Sequence, residues 1–196
     1  MMRKGLWVFV GIVVVLVLVA LLIFGSYVSA RNQMVAKQVA VQTQWSNVQT
    51  QLQRRSDLIP NLVATVKGYA THEETVFDNV ANANAAMLNA QKAQNPKAEI
   101  QASGQLSAAL GRLLMLTQAY PDLKANQNFL ALQDQLEGTE NRIAVQRQRY
   151  NESLQDYNTF IRQFPNNIWA GMAGFQPNDA YFTASPGSQN APTVKF

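Results

Sequence analysis

One cluster in the chain resembles acid–base machinery, His72-Glu73-Glu74. A histidine with two carboxylates can hold a metal ion or shuttle a proton. Neighbouring residues on a helix point about 100° apart, so His72 and Glu73 cannot both chelate one ion, and Val76, one turn on, is no ligand. The trio therefore reads as the exposed face of a helix. A denser charged group is Arg54, Arg55, Asp57, Pro60 and Asn61. Two guanidiniums beside a carboxylate can form a bidentate pair that fixes a turn between helices, or they can present a charged tip to a partner or an anionic ligand. Arg142, Arg147 and Arg149 share a later segment with Glu137, Glu140 and Glu152, where Glu137–Arg142 and Glu152–Arg149 are near enough for loose pairs on a solvated face. Tyr69, Tyr150 and Tyr157 fall on apolar stripes and read as packing; the alternative groups them with His72 around a polar pocket.

Composition removes much other chemistry. The 196 residues hold no Cys and one His, which excludes disulfides, thiolate metal sites, Cys nucleophiles and every motif that needs two histidines. No Gly-rich phosphate loop is present. Charged residues make up 14% of the chain, against about 25% in an average domain. The net charge of +4 is spread thinly rather than gathered into a basic footprint, so nucleic acid is not an expected partner. The sequence points to a protein that is not an enzyme and takes no cofactor or metal.

The elements that must carry these residues begin with an apolar run from Leu6 to Phe24, broken in type only by Gly11. Nineteen helical residues span about 29 Å, enough for a hydrocarbon core of roughly 30 Å. Trp7 and Tyr27 flank it as interfacial aromatics do. Val28-Ser29-Ala30 also fits a signal-peptide cleavage site, but the run exceeds the 7–15 residues of a signal core. An uncleaved single-pass anchor in the bacterial cell membrane is the expectation, the inner membrane in a Gram-negative cell. Arg3 and Lys4 lean toward an inside N-terminus and an extracytoplasmic bundle.

Beyond Tyr27 the pattern is helical. Met34, Val41, Trp45, Val48 and Leu52 form one stripe, continuous with the anchor. Arg54–Pro60 reads as the first turn, with Ser56 or Asp57 capping a second helix that carries Leu62, Val66, Phe77, Val80 and Met87 to Asn95-Pro96. A third helix from Lys97 carries Leu106, Leu110 and Leu113, with Ala102, Gly104, Ala108 and Gly111 allowing close approach, and ends at Tyr120-Pro121. A fourth, over 123–164, repeats Phe129, Leu136, Ile143, Tyr150, Tyr157 and Phe164 every seven residues and spans about 63 Å. Short connections make the neighbours antiparallel. The fold class is all-α: an N-terminal transmembrane helix continuing into a long antiparallel four-helix bundle, with an irregular C-terminal tail. The divisions are 1–30 anchor, 31–165 bundle, 166–183 aromatic post-bundle segment and 184–196 disordered tail. In this topology the Arg54–Pro60 turn lies distal to the membrane, about 45 Å out for thirty helical residues. Lys92, Lys97, Trp169 and Phe175 then become candidate membrane-surface contacts; alternatively Ile168, Trp169 and Phe175 cap the open end of the bundle.

Gln51-Leu52-Gln53-Arg54-Arg55-Ser56-Asp57-Leu58-Ile59-Pro60-Asn61-Leu62-Val63, with Gly68-Tyr69-Ala70 and His72-Glu73 beyond it, resembles the LemA family of bacterial membrane proteins. Tyr120–Leu136, Glu137–Ala144, Arg149-Tyr150-Asn151, Tyr157-Asn158, Phe164-Pro165, Gly174-Phe175 and Tyr181-Phe182 extend the resemblance to about residue 182. It implies an N-terminal membrane helix and a compact antiparallel bundle, and it implies no reaction. One relative looks like part of magnetosome-membrane assembly, which favours a membrane-organising role. The family expectation places the short N-terminus outside and the bundle in the cytoplasm, opposite to the charge lean.

Together these readings predict a membrane-anchored, non-catalytic scaffold or adaptor in membrane-associated assembly. The expected partners are the lipid bilayer, a membrane or envelope protein, and a second copy of the chain. The alternative is a ligand- or lipid-binding bundle at the membrane surface.

Overall fold

The computed structural model describes residues 2–183; the tail expected to be disordered, 184–196, lies outside them. The described residues are helical and contain no strand. α1 is Met2–Lys67, α2 Glu74–Lys92, α3 Pro96–Leu116, α4 Pro121–Lys124, α5 Gln127–Arg162 and α6 Asn166–Ala173, with a 3-10 turn at Thr117–Ala119. They form two compact units. One comprises residues up to Gln42 and Ser153–Asn178, the other Thr43–Glu152 and the residues from Asp179.

The first unit carries the anchor. Side chains from Phe9 to Phe24 are exposed around the whole helix, and among the described residues this is the one helix long and apolar enough to cross a membrane. α1 passes through Val28–Arg31 without a break. Beyond it Ala30, Met34 and Val41 become buried, with Leu154, Tyr157 and Ile161 of α5 and Ala170 of α6.

The second unit is the four-helix bundle. α1 contributes Trp45, Val48, Leu52, Ile59, Leu62 and Val66, at steps of three, four, seven, three and four residues. α2 adds Phe77, Val80 and Met87, α3 adds Leu106, Leu110 and Leu113, and α5 adds Phe129, Leu136, Ile143 and Tyr150. This is the seam geometry of helices packed at shallow angles.

The structure moves the first turn. α1 runs straight through Arg54–Pro60 and ends at Lys67, with Pro60 inside it. A proline in a helix interior costs about 3 kcal/mol. Each of Ile59, Leu62 and Val66, burying about 1.5–3 kcal/mol, lies on the stripe that an earlier turn would disrupt. The Ser56 carbonyl, which loses its usual donor to Pro60, receives the Asn84 amide of α2 at 3.5 Å. The turn falls instead at residues 68–73, where Tyr69 and Ala70 both donate backbone N–H to Val66.

Other boundaries have local causes. Asn95 accepts from the backbone N–H of Lys97 and Ala98, and Pro96 opens α3. The fourth long helix begins at Gln127 rather than 123, because Asn126 accepts from Phe129 N–H and caps it there. It ends at Arg162, so Phe164 leaves the heptad seam and stands 80% exposed. Gly104, Ala108 and Gly111 face outward from α3; a Cβ on either glycine would meet open space. Only Ala102 of that group packs inside.

Candidate functional site

The bundle interior contains a polar layer, and Arg55 is its centre. Its position on α1, three residues after Leu52 and four before Ile59, sets it on the apolar seam, and it is wholly buried. One terminal nitrogen, Nη1, donates to Ser107 Oγ at 2.9 Å and to Glu140 Oε1 at 3.0 Å; Nη2 donates to Ser103 Oγ at 3.0 Å and to the Ser103 carbonyl at 3.4 Å. Ser107 Oγ in turn donates to the Ser103 carbonyl. From α5, Arg147 Nη2 donates to the same Ser103 Oγ at 2.6 Å, and its guanidinium lies 4.9 Å from the centre of the Phe182 ring. The layer thus ties α1, α3 and α5 together.

Its electrostatics are one-sided. Two guanidiniums share one carboxylate, and the Glu140 side chain is 37% exposed. Burial and then the Arg55 charge push the Arg147 guanidinium below its ordinary pKa, while Glu140 works against that. Glu99, one turn before Ser103 on α3, is a second buried acid: both its oxygens accept from Gln49 Nε2, at 3.0 and 3.1 Å. Burial raises its pKa, against the Gln49 hydrogen bond, which lowers it.

Side chains of α5 hold the backbone of the residues that follow α6. Gly174 has φ +78°, a left-handed conformation that favours glycine, and it turns the chain off α6. In the first unit the Tyr157 hydroxyl donates to the Gln176 carbonyl at 2.9 Å, and the Asn158 amide pairs with both backbone groups of Asn178. In the bundle the Asn151 amide does the same for Phe182, at 2.8 and 3.0 Å. The Phe182 ring then packs on Trp45 and Tyr150.

The candidate tip is redistributed. Arg55 is internal, and its carboxylate partner is Glu140 rather than Asp57, which accepts from Gln53 at 2.7 Å. Arg54, Asp57, Pro60 and Asn61 are exposed along the side of a continuous helix, not at a turn. Arg54 and Asp57 line a groove of about 620 Å³ with Ser46, Gln49, Gln53 and Gln91. Arg54 also borders a smaller one of about 230 Å³ with Asp134, Gly138 and Arg142. Glu137 and Glu152 accept from Gln133 and Gln148, so glutamine amides, rather than Arg142 and Arg149, meet these carboxylates.

His72 lies in the turn between α1 and α2, exposed, not on a helix face. The Tyr69 hydroxyl accepts from Asn126 at 2.8 Å, at the start of α5. Tyr150 is 24 residues further along that helix, about 36 Å away, so Tyr69 and Tyr150 line no common pocket. Among the described residues no group of three or more His, Asp or Glu is placed to hold a metal ion.

Of the candidate surface contacts, Lys92 is exposed at the end of α2, and Lys97 pairs with Asp179 at 2.8 Å. That pairing holds the Asp179 carboxyl below its ordinary pKa. Trp169 packs edge-on against Tyr27, and Phe175 borders a cleft of about 530 Å³ in the first unit.

Sequence reasoning missed the polar layer. Its signal was present in the spacing: Glu99, Ser103 and Ser107 recur every four residues on α3, while Arg55, Glu140 and Arg147 interrupt otherwise apolar seams.

Fold and site define a membrane-associated helical-bundle protein with an internally bonded polar layer. The family model described as "LemA family" matches residues 44–196, and the chain belongs to the LemA family. Among its relatives, Magnetosome protein MamQ 2 and Magnetosome protein MamQ 1 of Paramagnetospirillum magneticum are each 26% identical over 178 residues, covering 79% of this chain. Protein LemA of Metamycoplasma hominis is 24% identical over 159 residues, covering 81% of this chain and 71% of the relative. The chain spans 65% of the length of the MamQ relatives.

Proposed function

We propose that the chain is a membrane-anchored, non-catalytic bundle that acts as a scaffold or adaptor in membrane-associated assembly. The observation that carries this reading is the bonding of the Arg55 layer. Its two guanidiniums, two hydroxyls and one carboxylate bind one another across three helices, an arrangement that fixes helix register. What faces outward is a surface of amides and scattered charges with shallow grooves on either side of Arg54. A polar concave strip of this kind suits a segment of another protein, held by hydrogen bonds around a few anchor residues. The partner in this reading is a membrane or envelope protein or a second copy, with the bilayer as the base. The relatives named as magnetosome proteins support a role within a larger assembly. Arg3 and Lys4 favour an extracytoplasmic bundle, which proteinase treatment of intact cells and spheroplasts tests directly.

The contact surface is tested by a photo-crosslinking residue at Gln53 or Arg54 in native membranes, with His72 as the comparison. A discrete protein adduct is expected from the first two sites, lost in an Arg54→Glu, Asp57→Lys variant. A chain that stays monomeric at native abundance from every site would overturn the reading.

The alternative, a ligand- or lipid-binding bundle, is favoured by one observation: the 530 Å³ cleft lined by Gln38, Val41, Tyr157, Phe175, Gln176 and Asn178. Mass spectrometry of small molecules carried through purification, compared between wild type and Val41→Trp, distinguishes it.

A further inference from the structure

α6 has the sequence Asn-Asn-Ile-Trp-Ala-Gly-Met-Ala. After Asn167 its one polar side-chain group is the Trp169 indole N–H. Ala170 is buried and Trp169 and Ala173 are half-buried. Ile168 and Met172, one turn apart, face outward at 49% and 71% exposure, and Phe164 just before the helix is 80% exposed. A helix that is apolar around its circumference belongs in a protein interior or in a membrane, not half in water.

Its neighbour identifies the cover. The rings of Trp169 and Tyr27 meet edge to face, centroids 5.7 Å apart. Tyr27 lies three residues past Phe24, the end of the apolar run, which is about 4.5 Å along the helix axis. When α1 crosses a bilayer with Phe24 at the edge of the hydrocarbon, Tyr27 and the Trp169 packed on it stand at headgroup depth, where such aromatics concentrate. We propose that α6, together with Phe164, is an interfacial helix lying in the headgroup layer of the bilayer that α1 spans, with Phe164, Ile168 and Met172 directed to the acyl boundary. The occupant is lipid because α6 packs through Trp169 on Tyr27, just past the exposed apolar run of α1. Arg31, one turn beyond Tyr27, and Arg162, two residues before Phe164, are both exposed and suited to anionic headgroups. Lys37 is already taken by Asp156 at 2.6 Å and by the Phe160 ring. A second attachment of this kind restricts rotation of this unit about the anchor. It is independent of the scaffold reading and holds for any function of the bundle.

The absence of Cys makes the test clean. Single variants Met172→Cys and Ile168→Cys of the full chain carry a nitroxide and are reconstituted in vesicles of equal parts phosphatidylcholine and phosphatidylglycerol. Gln155→Cys, on the exposed polar face of α5, is the aqueous reference. Collision rates are measured with oxygen, which concentrates in lipid, and with a water-soluble nickel chelate. At 168 and 172 the nickel rate is expected to fall severalfold below that at 155 while the oxygen rate rises. Nickel access equal to that at 155 overturns the proposal, since the face is then in water. Low access to both quenchers also overturns it, since protein then covers the face. Met172 is an exposed side chain, and circular dichroism matching wild type shows that the labelled chain is folded.

Discussion

Arg55 on α1 and Glu140 on α5 stand 85 residues apart in the chain and meet at 3.0 Å, with the guanidinium wholly buried and the carboxylate partly in water. The burdens are therefore unequal. Arg55 depends on Ser103, Ser107 and Glu140 together, while Glu140 can turn to solvent. Arg55→Ala is expected to destabilise the bundle by about 3 kcal/mol, because the buried Ser103 hydroxyl and the half-buried Ser107 hydroxyl lose a charged donor and a cavity opens. Arg55→Lys does not restore this, since an ammonium cannot reproduce the fork that reaches both serines and the carboxylate. Glu140→Gln costs less, about 1 kcal/mol, because water screens its exposed side. Urea unfolding of the three variants in detergent micelles checks the ranking.

Glu99 sets a pH dependence. Burial raises its folded pKa above the ordinary 4.5. Below that value both folded and unfolded states hold the proton and the contribution to stability is complete. As pH rises, the unfolded chain releases its proton first, so stability falls until pH passes the folded pKa. Glu99→Gln keeps an amide partner for Gln49 and removes the charge. The variant is expected to match wild type in acid and to exceed it increasingly as pH rises from 4.5, as read from unfolding midpoints over that range.

Alkaline titration isolates a second buried group. Burial, with the Tyr181 charge adding to it, pushes the Tyr150 phenol up from 10 to about 12. Absorbance at the phenolate band should show a step near pH 12, and Tyr150→Phe should remove it. This contribution to stability is complete below pH 10 and is lost as pH rises through about 12.

How far the sequence showed this arrangement depends on the kind of signal. The apolar seams were legible because burial of Leu52, Leu106, Leu136 and their neighbours follows from spacing alone. Pro60 misled because propensity is local, whereas Ile59, Leu62 and Val66 stabilise the helix through contacts that spacing does not assign. Arg55 and Asp57 are near in sequence and looked like a pair, yet Arg55 points inward and Asp57 outward. A charge on an apolar seam was the better guide. The hold of α5 on the residues after α6 was invisible because Asn151 and Asn158 bind backbone groups of Phe182 and Asn178, and a backbone partner leaves no mark on residue type.

The Asn151 contact carries its own prediction. Its amide satisfies both the N–H and the C=O of Phe182, so Asn151→Ala should lose about 1–2 kcal/mol of local stability. Asn151→Asp keeps the acceptor but sets a carboxylate oxygen against the Phe182 carbonyl, so it should not restore the contact. Hydrogen exchange at the Phe182 amide should accelerate in both, while amides of α2 and α3 stay protected.

Pro60 and Asn84 should behave as a coupled pair. In wild type the Ser56 carbonyl has lost its helical donor at Pro60 and takes the Asn84 amide at 3.5 Å. Asn84→Ala should therefore cost about 1 kcal/mol. Pro60→Ala restores a backbone N–H to that carbonyl and relieves the ring clash, for a gain of up to about 3 kcal/mol. In the Pro60→Ala background Asn84→Ala should be nearly neutral, since the carbonyl is then satisfied within α1. A double-mutant cycle by urea unfolding gives the coupling directly. Additive effects would mean that the Asn84 amide does nothing for the helix at Pro60, and that burial of Ile59, Leu62 and Val66 alone carries α1 through the proline.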